Sequence, residues 1–326
     1  VSNQIDEDEE WSFSKLKEVP HMPTNDETKT GLQFVRDFYR GSSAYADHIA
    51  SDLLSVIHLE TKLDTAIMEA ALSGKDIVLT GNPGDGKTHI IRLLKNRLEN
   101  TGKPICIELD ASTLSNDEIY LKWKAARESN TPFVIAINAA ILYSVYQKHS
   151  DFQPIKDAYF QMSHAVIFHD EVTDDRNLVV FDLSKREVLT ADILKKAIEK
   201  LTDDTHYTEC SSCPLNESCD VHKNCSLLNS ALFQERLFVI LQRVSMQGYH
   251  ATVRELQSLI AYLIFGNRSC KAISRTTGSN QYNLVNLVFS GKGALFDAIR
   301  NALDPVTISH PTWDERIPVS YTHLTL

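Results

Sequence analysis

The residues DIVLT (Asp76–Thr80), GNPGDGKT (Gly81–Thr88) and HIIRLLKNRL (His89–Leu98) follow one another without a break and decide how this chain is read. The first is a short, mostly apolar run of the buried-strand kind. In the last, Ile90, Ile91, Leu93, Leu94 and Leu98 recur at helical spacing. Between them Gly81, Asn82, Pro83, Gly84, Asp85, Gly86, Lys87 and Thr88 fill the pattern G-x-x-x-x-G-K-[S/T]. Glycines let the backbone curl until successive N–H groups converge on one point without Cβ clashes. The helix that starts there turns its positive end towards the same point. Lys87 then offers a point charge for β- and γ-phosphates and Thr88 a hydroxyl for Mg²⁺, with His89 next along the wall. The stretch Gly81–His89 is therefore expected to hold ATP and Mg²⁺.

Outward from this loop, strand and helix patterns alternate. Strands are expected at 104–109, 132–138, 165–169 and 177–182, and helices at 117–128, 139–147 and 190–201. Two helices are expected within 45–72. Such alternation predicts an α/β fold, a P-loop NTPase three-layer parallel sheet. A helical lid should follow, with helices at 228–246, 252–265 and 284–303 and a polar connector at 266–283. The chain divides into an acidic, loosely ordered leader (1–43), the core (44–205), a four-cysteine knuckle (206–227) and the lid (228–318).

Composition narrows the class. Hydrophobic residues are 43% and charged residues 23% of 326, which is the balance of a folded globular chain. The longest nearly apolar run, 133–146, is shorter than the roughly 20 residues a bilayer requires, so a cytoplasmic protein with no membrane partner is expected. Residues 1–30 hold eight acids against three lysines, which accounts for half of the net charge of −10. Global charge therefore makes no case for nucleic acid. A basic stripe of Arg92, Lys95, Arg97 and Lys103 is the local exception, and a solvated helix face is its plainer reading. The last residues, VSYTHLTL (319–326), are also the in-frame product of a transposase adapter sequence. They are expected not to be native, with the natural chain continuing past Pro318.

A nucleotide-hydrolysing site also needs an acid on the metal side. Asp110, at the end of the strand ICIELD, is one candidate. Asp170 and Glu171 are another, and Asn138, ending FVIAIN, stands where an acid or a polar γ-phosphate sensor would be. A strand-end Asn that merely caps the next helix is equally compatible. Arg254, early in the helix of HATVREL (250–256), suits a second sensor because guanidinium binds phosphate bidentately. A solvated arginine is the alternative. Arg176 and Arg186 are weaker candidates for fingers acting in trans.

Cys210-x2-Cys213-x5-Cys219-x5-Cys225 places four thiols on one loop, with His206 and His222 close in sequence. In a chain without an export signal this spacing suggests a metal, Zn²⁺ by preference. A four-cysteine iron–sulfur cluster and free thiols remain open. Cys106 and Cys270 read as bystanders.

GNPGDGKT, the strand endings IELDAS and AINAA, the cysteine insertion and HATVREL together resemble an AAA+-type P-loop ATPase, of the DptF-type family found in phosphorothioation-dependent DNA restriction. The resemblance covers about 44–318. It implies work with other restriction-complex proteins, contact with DNA through that complex, and a possible homo-oligomer. Lys87, Asp110, Asn138 and Arg254 would be the catalytic set, Thr88 and Asp110 would hold Mg²⁺, and the four cysteines Zn²⁺. Two other functions stay open: a nucleotide-binding signalling scaffold with little hydrolysis, and a direct DNA-binding module.

Overall fold

The computed structural model describes residues 31–40, 58–99, 104–167, 177–276, 279 and 282–303. Helix α1 is Leu32–Arg40 and α2 is Lys62–Leu72, after which β1, Asp76–Thr80, enters the core with all five residues buried. Helix α3 (Lys87–Glu99), β2 (Cys106–Glu108), α4 (Asn116–Glu128), β3 (Phe133–Ala136), α5 (Ala139–Lys148), α6 (Gln153–Ile167) and β4 (Leu178–Asp182) follow. The strands form one sheet in the order β2-β3-β1-β4, and every pairing is parallel. Parallel neighbours need long crossovers, and the helices supply them.

Strand alternation divides the core into two layers of side chains. Ile77, Leu79, Val134 and Ala136 pack against Ile67 and Ala71 of α2 and Ile91 and Leu94 of α3. On the other face, Val78, Phe133 and Ile135 meet Ile119 and Trp123 of α4, Leu142 and Val145 of α5 and Ile155 of α6. Helices on both faces cover a parallel sheet, so the α/β expectation holds. Adjacent β1 and β3 send their following helices, α3 and α5, to opposite faces. That opens a crevice at the carboxyl ends of these two strands, where ligands sit in open α/β sheets.

The sheet is locked at its other end by Asp76, which is only 2% exposed. Its carboxylate accepts from Trp123 Nε1 at 2.7 Å and from the Phe133 amide at 2.9 Å, while Arg127 Nε stands 2.9 Å away. One buried charge thus ties β1 to α4 and β3, with donors on every side.

The rest is helical: α7 (Ala191–Leu201), α8 (Asp220–Leu228), α9 (Ala231–Met246), α10 (Val253–Phe265), α11 (Cys270–Thr276), α12 (Leu284–Ser290) and α13 (Ala294–Leu303). Helix α10 is apolar nearly all round and buried on all sides, as the axis of this second core. It starts in a capping box of Thr252 and Glu255 and stops at Gly266.

Several expectations are corrected. The leader's residues 32–40 form α1, whose Phe34 and Val35 pack into the core around α10, so the boundary at 43 separates nothing there. The strand expected from Ala165 begins instead as the last turn of α6, whose Ile155, Ala158 and Met162 carry a helical apolar face into the core. The polar connector contains α11. The single helix expected at 284–303 is two, parted at 291–293. The knuckle is largely helical, with 3-10 turns over Asp204–Ser212 and then α8. Residues 1–30, 45–57, Lys103, His169, Asp170, Glu171, Arg176, Pro318 and the 319–326 tail lie outside the described residues. Among the described residues no helix is long and apolar enough to cross a membrane.

Candidate functional site

The turn from β1 into α3 takes positive φ at Gly81, Gly84 and Gly86. Gly81 has φ +146°, and a Cβ there would come within 2.8 Å of Asp85 and 3.0 Å of Leu183. Gly84 has φ +93° and faces Thr252. The turn closes on itself through two side chains. Asp85, buried, accepts from the Asn82 amide at 2.6 Å. Lys87 Nζ donates to the carbonyls of Gly81 at 2.8 Å and Asn82 at 2.9 Å. Burial lowers the Lys87 ammonium from its usual pKa, and the Asp85 and Asp110 carboxylates oppose that shift.

A cavity of about 640 Å³ opens at this point, in the crevice between β1 and β3 and on towards β4. Thr80–Pro83, Asn138, Ala139, Met162 and Asp182 line it. Asn138 is thus beside the loop, and its Oδ1 also caps α5 by accepting from the Ile141 amide at 2.8 Å. The capping reading is thus seen directly, in a residue that also lines the cavity. The Asp182 carboxylate, paired across from Thr80, caps the turn after β4 through Ser184.

Asp110 comes to the loop from β2, one strand beyond β3. The Thr88 hydroxyl is 3.5 Å from the Leu109 carbonyl, and the Asp110 carboxylate is near enough to act on Lys87. Among the described residues it bonds the Ser112 amide, at 2.9 Å. Asp110 is thus near Lys87, as Asp85 is, and follows the residue whose carbonyl meets Thr88. Asp170 and Glu171 are not described.

The helical part reaches the same place. Its segment 249–252 covers the tip of the turn: His250 Nε2 lies 3.6 Å from Asp85 Oδ1, and Thr252 packs on Gly84. Arg254, two residues into that helix, is half-buried and makes no hydrogen bond or ion pair among the described residues. Arg186 is likewise half-buried and close to Asp64, Asp85 and His89 of its own chain, which is not the setting of a finger in trans.

His89 has a partner that the sequence did not single out. His58 Nδ1 is 3.1 Å from His89 Nε2, and His58 Nε2 is 3.1 Å from Asp64 Oδ1. Burial, then the neighbouring His58, pulls the His89 ring down to about 4. Burial pushes Asp64 up, but His58 and the Thr61 donors outweigh it and hold the carboxyl at about 2. The sequence carried no signal for this chain of three beyond their residue types.

The basic stripe is largely answered by acids: Arg97 pairs with Glu60 at 2.8 Å and Lys95 with Glu99 at 3.9 Å. Far from the loop, Cys210, Cys213, Cys219 and Cys225 gather at the edge of the helical core, and Cys270 stands with them. Burial, with the other thiols nearby, lifts Cys210 to about 11 and Cys225 to about 12. Among the described residues no three His, Cys, Asp or Glu side chains stand in a ligating array. No family model, no curated protein and no solved structure matches this chain.

Proposed function

We propose that the chain binds ATP·Mg²⁺ in the crevice above β1 and hydrolyses it, as an AAA+-type motor or switch. The observation that carries this reading is Lys87, whose ammonium is spent on the carbonyls of Gly81 and Asn82, two residues that line the cavity. A triphosphate would take over that charge and the amides of the turn, with Thr88 and Asp110 on the metal side. Arg254 and Asn138 would sense the γ-phosphate. Its loss on hydrolysis would release the lid segment from the turn, which is how nucleotide switches act. The sequence resemblance adds the setting: a cytoplasmic complex of restriction proteins, reaching DNA through its partners.

Binding of a fluorescent ATP analogue tests the reading. Wild type should bind in a Mg²⁺-dependent way and release phosphate, and Lys87→Ala should do neither. Equal binding by both proteins, or none by a folded wild type, would overturn it.

One observation favours a scaffold that holds nucleotide and turns it over poorly. Strand β3, next to β1, leads into Asn138 and not into a carboxylate, and that side chain is engaged as a cap. Tight ATP binding without phosphate release would select this reading.

A further inference from the structure

Strand β1 has a neighbour on each side, β3 and β4. The first leads into Asn138, which carries no charge. The second ends in Asp182, paired in register with Thr80, the last residue of β1. Two positions earlier on each strand, Val78 and Val180 pack on the face of the sheet that α4, α5 and α6 cover. Side chains two apart on a strand share a face, so Thr80 and Asp182 turn to that side as well. Both line the cavity of about 640 Å³, together with Met162 of α6. Asp182 is the only ionisable side chain among the described residues of that lining.

Three polar groups of the lining still have bonds to make. Thr80 is 1% exposed, and its buried hydroxyl has no hydrogen-bond partner. Asn138 spends its Oδ1 on the cap of α5, and its Nδ2 donates to no described residue. Asp182 spends its Oδ1 on Ser184, at 3.1 Å from the amide and 2.6 Å from the hydroxyl. Its Oδ2 accepts no hydrogen bond among the described residues, and Lys185 Nζ stands 3.6 Å from it. A buried hydroxyl left unpaired costs free energy until a water or ligand answers it. A hydroxyl, an amide donor and an open carboxylate oxygen around one void suit a bound water.

The void borders the first half of the turn, Gly81–Pro83, and the carbonyls of Gly81 and Asn82 hold Lys87. Thr88 and Asp110, proposed for the metal side, are not among the described residues that line it. The place for a nucleophile is thus separate from the place for the metal.

We infer that Asp182 is the catalytic carboxylate of hydrolysis, a role that rests on the proposed ATP binding and deepens it. Thr80 and Asn138 hold a water in the cavity. Asp182 Oδ2 takes its proton as the water oxygen bonds to the γ-phosphorus. The bond from that phosphorus to the β,γ-bridging oxygen breaks, and ADP leaves with the electron pair. Asp182 then returns the proton to solvent. The carboxylate that β3 does not lead into is supplied from the other flank of β1.

The test is ATP turnover by the full chain, with ATP binding measured alongside. Asp182→Asn keeps an oxygen for Ser184, so the turn stays capped. This variant should bind ATP·Mg²⁺ as tightly as wild type and release phosphate roughly 100-fold more slowly. Added Mg²⁺ should not restore the rate. Thr80→Val removes a hydroxyl that has no partner in the free protein, so its unfolding midpoint should be kept or raised while turnover falls about 10-fold. Full turnover by folded Asp182→Asn would overturn the inference and leave the nucleotide reading standing. So would turnover lost only through weaker ATP binding, or a wild type that binds ATP without releasing phosphate. A folded wild type that binds no ATP would overturn both.

Discussion

Thr252 lies against Gly84, so close that a Cβ on the glycine would stand 3.4 Å from the Thr252 methyl carbon. One residue belongs to the turn after β1 and the other caps α10, the central helix of the second core. The contact joins the candidate nucleotide turn to the helical part.

Gly84→Val should break that link. Its φ of +93° is one that a β-branched residue strongly resists, and the added methyls would press on Thr252. A loss on the order of 1–3 kcal/mol in denaturant unfolding is expected, together with slower protection of α10 from hydrogen exchange when ATP is added. Unchanged exchange in the variant would detach the lid from the loop.

Asp110→Asn removes a carboxylate near Lys87, the one proposed for the metal side. Phosphate release is expected to fall roughly 100-fold, with affinity for metal-free ATP kept or improved. The amide can still accept the bond from Ser112 that caps the turn, so the stability change should be small. Undiminished turnover would move the metal-side role elsewhere.

Asp76→Ala would strand the Trp123 indole N–H, the Phe133 amide and the Arg127 guanidinium around an empty place. Breaking a buried pair from one side costs roughly 3–5 kcal/mol, read from chemical denaturation followed by Trp123 fluorescence. Nucleotide affinity in the folded fraction should hardly move, since Asp76 starts the strand whose other end carries the site. A near-neutral result would remove Asp76 from the stabilising set.

Stability should fall as pH is lowered from about 6.5 towards 4. The His89 ring has an ordinary pKa of 6.5 and is held at about 4 in the fold, so the unfolded chain takes up the proton first. The contribution is whole above 6.5 and is lost by the time pH reaches the folded value, a change on the order of 2–3 kcal/mol. Asp64, held at about 2 against 3.8, adds a further loss only below 3.8. His89→Gln should flatten the melting temperature between pH 4 and 6.5. An unaltered slope would assign the dependence to other groups.

By itself the sequence determined the strand–turn–helix at Asp76–Leu98, the α/β class, and the helices over 190–201 and 252–265. These signals are local: a period of two or 3.6, a run of glycines, a side chain bonding an amide three residues on. Tertiary structure alone decided that β2 brings Leu109 to Thr88, that 153–167 is one helix, that α1 joins the second core, that His58 meets His89, and that Cys270 comes near Cys210. Those outcomes follow from strand order and from how apolar faces dock. Both depend on residues tens of positions apart, which no local periodicity records.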